Sequence, residues 1–327
     1  MHKPHCNYPQ KIKSTFLYTL SVYFHNLHRL CIPYESIHRL YFIIYVDIVL
    51  KTLKPTVTLN NAPVSYVLCK IDCGDLLSFD ALLAESQDVF RKNGFPIFYH
   101  HIINDVRINT THGIKLEEQE KHTYHFISGD YQQGIVVSGG SVLVHTNCYN
   151  GFAQFAALVI KAHEIYSQVT EMKLVRAIGL RYIHSMVSSK DKSLDYYLQE
   201  SMLSPRFCIA GDGQNDISPV EARMQHIYKT DLNSLLTLRI YAGKGLKIVP
   251  DDLIPLIEMF LLSSGKETTL PAISRPSALI DIDQHKLFQS MQHYSAADIT
   301  KTLNNMHNHI DLILCNVAKN SALEEWK

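Results

Sequence analysis

Before Ala62 the chain contains no alanine, and before Gly74 no glycine. Acidic residues are nearly missing from the same region: between Met1 and Leu50 there are only Glu35 and Asp47. Net charge is missing altogether, with 31 basic and 31 acidic residues, so no field of the whole molecule draws nucleic acid or an anionic membrane, although a local basic patch is not excluded. No CxxC occurs. The seven cysteines, Cys6, Cys31, Cys69, Cys73, Cys148, Cys208 and Cys315, are scattered and odd in number, which speaks against a disulfide framework or a zinc ribbon and for free thiols in a reducing cytoplasm. There is no GxxxxGK[ST] and no GxGxxG; "GDGQND" (211–216) is followed by no clear helix and reads as a turn. Long apolar runs are lacking too. The longest, "LYFIIYVDIVL" (40–50), contains Asp47 and falls well short of the roughly 20 residues a spanning helix needs. No small-residue cleavage site follows a charged start, so a secretory signal is unsupported.

What the first fifty residues do hold is Leu, Ile, Tyr, Phe and His. That composition is what an AT-rich stretch upstream of a gene gives when translated from a misplaced start, and residues 1–55 are accordingly read as an N-terminal extension of that origin or as an amphipathic segment. The second option rests on Phe16, Leu20, Tyr23, Leu27 and Leu30, which recur at three and four and fit one helix face over 14–31, packed on protein or lying on a membrane surface.

From about Thr56 the composition turns globular. "VSYVLCKID" (64–72) is β-rich, and "SFDALLAESQDVFRKNG" predicts a helix capped by Ser78 and closed by Asn93-Gly94. Strand-like segments follow at 96–108, 122–128 and 134–146, the last with a turn at "SGG". Phe152, Phe155, Val159, Ala162, Tyr166 and Val169 then mark one stripe of a long helix. The order repeats. "LVRAIGLRYIH" (174–184) reads as a strand, 193–203 as a short helix, 220–229, 235–243 and 277–285 as strands, and Ile299, Leu303, Met306, Ile310, Ile313 and Val317 as the stripe of a final helix starting at Ser295. The expectation is an α+β fold of two tandem β-α-β-β-β-α units, 56–172 and 173–327, with long helices on one face of antiparallel sheets. A Pro-bounded insertion at 250–276 carries a short apolar helix.

"NAP" (61–63), "GLRYI" (179–183), "LIDIDQH" (279–285) and a long C-terminal helix give residues 59–327 a pattern that resembles a sporadically distributed family of prokaryotic proteins of unknown function. Two positions depart from it: His184 stands where that family has Asn, and Cys315 where it has an aromatic residue. The resemblance implies a body that begins near residue 55 and, through the family's distribution, a defence or toxin-antitoxin setting. It carries no catalytic residue.

Strand alternation places Ile178, Leu180 and Tyr182 on a core face and Arg181 on the other, beside Gly179. Arg239 and Thr237 alternate in the same way with Leu236, Leu238 and Ile240, and Asp281 and Asp283 with Ile280 and Ile282. Two readings follow. The charges close ion pairs across the sheet, each exposed pair contributing about 0.2–1 kcal/mol, or they line a cavity in which the arginines grip phosphate or carboxylate and the aspartates hold a divalent metal such as Mg²⁺. The acidic-x-acidic strand spacing is similar to that of tunnel-shaped triphosphate enzymes.

Candidate ligand-binding residues are thus Arg181, Arg239, Tyr182 and Thr237, and candidate metal ligands Asp281 and Asp283. A zinc site is disfavoured, because His100 and His101, and likewise His122 and His125, point to opposite faces of their strands. "GKGLK" (243–247) reads as a solvated turn. The function these features favour is a cytoplasmic, non-enzymatic binding or interaction protein with a protein partner and no required cofactor. The alternative is a metal-assisted enzyme acting on a small phosphorylated molecule. The third reading is nucleic-acid binding through local basic patches.

Overall fold

The computed structural model describes residues 59, 61–76, 79–109, 115–203, 220–231, 234–247, 249–263 and 273–327. The expectations for residues 1–55, the helix cap at Ser78, the turn at 211–216 and the thiols of Cys6, Cys31 and Cys208 lie outside these residues. Within them the protein is α+β and built around one antiparallel sheet of nine strands.

The elements follow the chain in this order. Strand β1 (Val64–Asp72) leads through a 3₁₀ turn to helix α1 (Leu83–Lys92), then come β2 (Ile97–Asn109), β3 (Lys115–Ile127), β4 (Gln133–Ser138), β5 (Ser141–Thr146) and the long helix α2 (Phe152–Thr170). Next are β6 (Leu174–Val187), the four-residue helix α3 (Leu194–Tyr197), β7 (Glu221–Asp231), β8 (Ser234–Gly243), α4 (Ile254–Ser263), β9 (Ser277–His293), α5 (Ala296–Val317) and α6 (Asn320–Trp326). The segment 134–146, with a hairpin turn or bend expected at "SGG", is a hairpin of two strands. Gly139 and Gly140 form its tip, packed so closely that a Cβ on Gly139 would come within 2.5 Å of the Leu76 carbonyl oxygen. The first half therefore has five strands and the second four.

Strand order across the sheet is β2-β3-β4-β5-β1-β6-β9-β8-β7, and every pairing is antiparallel. The strands of both expected units thus lie side by side in one sheet. β1 and β6 pair at its centre, with Leu68 opposite Arg181 and Tyr66 opposite Ile183.

One face carries the main core. The α2 stripe residues Phe155, Val159, Ala162 and Tyr166 and the α5 stripe residues Ile299, Leu303, Met306 and Ile310 pack with Val67, Cys69 and Ile71 of β1, Ile178, Leu180 and Tyr182 of β6, and Ile280 and Ile282 of β9. Near the C-terminal end of α5 the buried residue is Leu314, while Ile313 is only partly buried. The helix begins at the expected place, with Ser295 and Asp298 each bonding the other's backbone N–H. The Cys69 and Cys73 thiols are free and sealed in this core, and burial pushes that of Cys73 up to about 12.

The opposite face is covered at its centre by the segment containing α4. Val249, Leu253 and Ile257 pack on Tyr66, Leu68, Ile183 and Leu279. Beside that patch the Tyr66 hydroxyl meets His145 Nδ1 at 2.7 Å, and the His145 ring lies over Gly134 so closely that a Cβ there would sit 2.1 Å from Nε2. Gly134→Ala therefore forces either the ring or the strand to move. A loss of about 1–3 kcal/mol is expected in chemical denaturation, and the same change made in a His145→Ala background should cost clearly less.

Candidate functional site

The residues singled out from alternation fall into two groups on opposite faces of the sheet. Arg181, Arg239, Asp281, Asp283 and Thr237 share the face that α4 partly covers, since Arg239 is opposite Asp281 and Thr237 opposite Asp283 on β8 and β9, and Arg181 is opposite Asp283 on β6 and β9. Tyr182 is not with them. It is buried under the helices with its hydroxyl 3.1 Å from that of Tyr149, so it cannot share a ligand with Arg181.

The charged groups are paired with one another. Arg181 donates from Nε to Asp281 Oδ1 at 2.7 Å and from Nη2 to Asp281 Oδ2 at 2.8 Å, a two-pronged contact with a carboxylate that is 0% exposed. It does not use its direct cross-strand neighbour Asp283 but reaches one residue pair along the strand. Arg239 donates from Nη1 to the same Asp281 Oδ2 at 3.0 Å. The rest of the Arg181 guanidinium is taken by Asp252, Nη1 to Oδ2 at 2.5 Å and Nη2 to Oδ1 at 3.1 Å. Asp252 belongs to the 3₁₀ turn Asp251–Leu253 just before α4. One arginine thus ties the central strand β6 both to β9 and to the segment that covers this face.

The electrostatics follow from burial and partners. Partial burial works against the charge on Asp252, but the hydrogen bonds and charge of Arg181 outweigh it and hold the carboxyl below its usual range. For Asp283 burial prevails, and the Asp281 charge adds to it, so its carboxyl titrates above the usual range despite the two arginines. Burial also opposes the charge on Arg181, and its two aspartate partners more than restore it.

Chemically this arrangement holds an α4 segment in place better than it binds a metal. Both oxygens of Asp281 accept guanidinium N–H groups, so a cation there would have to displace Arg181 or Arg239. Among the described residues no group of three or more His, Cys, Asp and Glu side chains is placed to hold a metal ion. Asp252 is the most exposed member of the network, and the outer guanidinium of Arg239 and the Asp283 carboxylate, 3.9 Å apart, also reach water.

Two features escaped the sequence. Asp252 is one; the only hint was an Asp pair between Pro250 and an apolar helix. The other is a pair of histidine contacts, one on each face of the β2–β3 hairpin. Within one strand neighbouring histidines diverge, but across strands His100 meets His122 with ring centroids 5.0 Å apart, and His101 meets His125 at 6.3 Å. The Tyr124 hydroxyl donates to Asp80 beside the first pair. His125, His145 and His184 are all buried, and burial holds the first and last near 4 and His145 near 3. Under the helices His307 stacks on Phe152 with centroids 4.1 Å apart, and burial holds it near 4, while burial raises Asp311, whose carboxylate approaches within 3.4 Å, to about 6.

No protein-family model and no curated protein matches the chain. The residues themselves therefore carry the functional argument.

Two outcomes test this electrostatic picture. Arg181→Met leaves Asp281 buried with only Arg239 to answer it, and should destabilise the fold by about 3–5 kcal/mol, whereas Asp252→Ala, at the wet end of the same arginine, should cost about 1 kcal/mol. Urea titrations of the two variants decide it. For acid, the sign comes from the histidines. Below pH 6.5 the unfolded chain takes up protons at His125, His145, His184 and His307, and the folded chain does so only near 4 or below, so stability falls as pH drops through that window. Asp311 and Asp283, raised in the folded state, act in the opposite sense but are fewer. Melting temperature followed from pH 7 to pH 5 should decrease, and replacing His184 by Asn should flatten the decrease.

Proposed function

We propose that this chain is a non-enzymatic, cytoplasmic binding protein that recognises a protein partner on the open face of its sheet, beside the arginine–aspartate network. The observation that carries this reading is a contrast on that face: the charges are satisfied by one another, while large apolar side chains stand in water. Leu235 is 53% exposed, Leu287 50% and Ile227 62%. They are neighbours in the register. Leu235 lies opposite His285, Leu287 is the next residue of β9 on that face, and Ile227 lies opposite Thr237. Apolar side chains clustered within a polar rim of Arg239, Asp283, His285 and Lys229 fit the anatomy of a protein interface, where the centre is apolar and the rim charged.

Reading the network as a metal-assisted enzyme on a phosphorylated small molecule, with Mg²⁺ on Asp281 and Asp283, would require Asp281 to give up Arg181. Nucleic-acid binding has no net positive charge behind it. The setting in defence or a toxin-antitoxin pair follows from the resemblance of "NAP", "GLRYI" and "LIDIDQH" to a sporadic prokaryotic family. The same proposal includes the two halves, 56–172 and 173–327, as tandem copies of one unit, the first with an added strand. Each half begins with a strand at the sheet centre and continues through a helix and antiparallel strands to a long helix, the second half adding α4 before its last strand and the short α6 after its long helix.

The test is affinity capture from the native cell with the purified full chain and with a Leu235→Asp/Leu287→Asp variant. A protein retained by the first and lost from the second, at unchanged circular dichroism, is the expected result. A phosphorylated metabolite retained instead, and lost on Arg239→Ala, would replace this reading with the enzyme.

A further inference from the structure

β7 ends the strand order of the sheet and is paired only with β8, so among the described residues the N–H and C=O groups on the other side of its backbone have no strand partner. Such edges are usually blunted by proline, by a bulge or by a covering element, because they template further pairing. β7 contains no proline. Its one irregularity, between Lys229 and Asp231, is at its far end and leaves 221–229 regular over about 30 Å. Every residue from Val220 to Thr230 is at least partly exposed, including Ile227 and Tyr228.

We propose that a second copy of this chain pairs antiparallel with β7 across a two-fold axis through Gln225, making one sheet continuous over both copies. The argument is the self-complementarity of "EARMQHIYK" (221–229). With Gln225 on the axis, Glu221 faces the partner's Lys229 and Lys229 faces the partner's Glu221, so both pairs join opposite charges. On the other face Tyr228 lies opposite the partner's Ala222 and diagonal to the partner's Met224, within reach of a sulfur–aromatic contact. Lys229 makes no ion pair within its own chain among the described residues, and Glu221 uses one oxygen, accepting from Arg223 Nε at 2.5 Å.

Neighbouring registers are worse. Centring the axis on His226 pairs odd with odd as before but sets Glu221 against the partner's Asp231 and Arg223 against the partner's Lys229, all like charges. Centring it on Met224 sets Glu221 against the partner's Ile227 and carries Lys229 past the start of the partner's β7, so neither charge is matched, whereas in the Gln225 register both are matched and Arg223 is the residue that faces the partner's Ile227. Centring it on Ile227 runs the ladder through the irregularity between Lys229 and Asp231. Only the Gln225 register keeps a regular ladder and matches the charges. A foreign strand would need to supply this pattern, whereas the chain supplies it to itself.

This inference does not depend on the foreign partner proposed above, and its test uses purified protein alone. Sedimentation velocity on the full chain should show a dimer. Lys229→Glu and Glu221→Lys should each weaken self-association about tenfold or more, since each sets two like-charge pairs across the axis. An equimolar mixture of the two variants should dimerise again, because one chain then carries two acids where the other carries two lysines. The swap Glu221→Lys/Lys229→Glu should restore the homodimer. A monomeric wild-type chain at the highest concentration it tolerates overturns the proposal. So does a dimer that both single variants leave unchanged, or a mixture that associates no better than its components. The exposed positions of both side chains keep the fold out of the comparison, and circular dichroism checks that.

Discussion

The buried carboxylate of Asp281 and the guanidinium of Arg181 constrain much of this protein. Asp281 lies on β9, Arg181 on β6, and Asp252 on the turn that launches α4, so one hydrogen-bonded set joins two neighbouring strands to the element that covers their face. Removing two charges from water costs several kcal/mol per ion, and attraction repays that cost only where the remaining hydrogen-bonding positions are filled. Here they are filled: Arg239 takes the second position on Asp281 Oδ2, and Asp252 takes the outer side of Arg181. The geometry is specific in a way that apolar packing is not. Sliding β9 by two residues along β6 would leave Arg181 without its two-pronged partner, so the network works as a register lock in addition to the hydrophobic match of the helix-covered face.

That lock also explains why α4 lies where it does. Val249, Leu253 and Ile257 supply an apolar patch, but an apolar patch alone can settle in several orientations. The Asp252 contacts fix the start of the helix to one point on β6. Directly beyond this covered zone the face is open, and there Leu235, Leu287 and Ile227 remain in water. Covered and open zones thus share one sheet face, separated by the charged rows of Arg239 and Asp283.

How much of this was legible in the sequence depended on range. Period-two alternation placed Arg181, Arg239, Asp281 and Asp283 on one face, because side-chain direction along a strand is local. The stripes of α2 and α5 and the Ser295 cap were legible for the same reason. Strand order was not. Nothing within "VSYVLCKID" or "LVRAIGLRYIH" states that β1 and β6 will be neighbours, and that pairing decides that there is one sheet in place of two. At 134–146 a Gly-Gly tip serves a hairpin and a bend equally well, and the structure forms the hairpin. Histidines failed in the same manner: reasoning along one strand separated His100 from His101 and His122 from His125, while pairing across strands brought together His100 with His122 and His101 with His125.

Tyr182 lies on the helix-covered face, as strand alternation requires of the neighbour of Arg181. The same periodicity that sent Arg181 to the open face sends its neighbour to the core, so a ligand could never touch both side chains from one side of the sheet. The tyrosine instead joins a buried aromatic group with Tyr149, Phe152, His184 and His307 between β6 and the two long helices. Adjacent residues of one strand therefore serve different layers, one locking strands and α4 on the open side, the other setting the helices on the closed side. The sheet is the shared element, and a change at Arg181 acts on α4 through contacts that Tyr182 does not make.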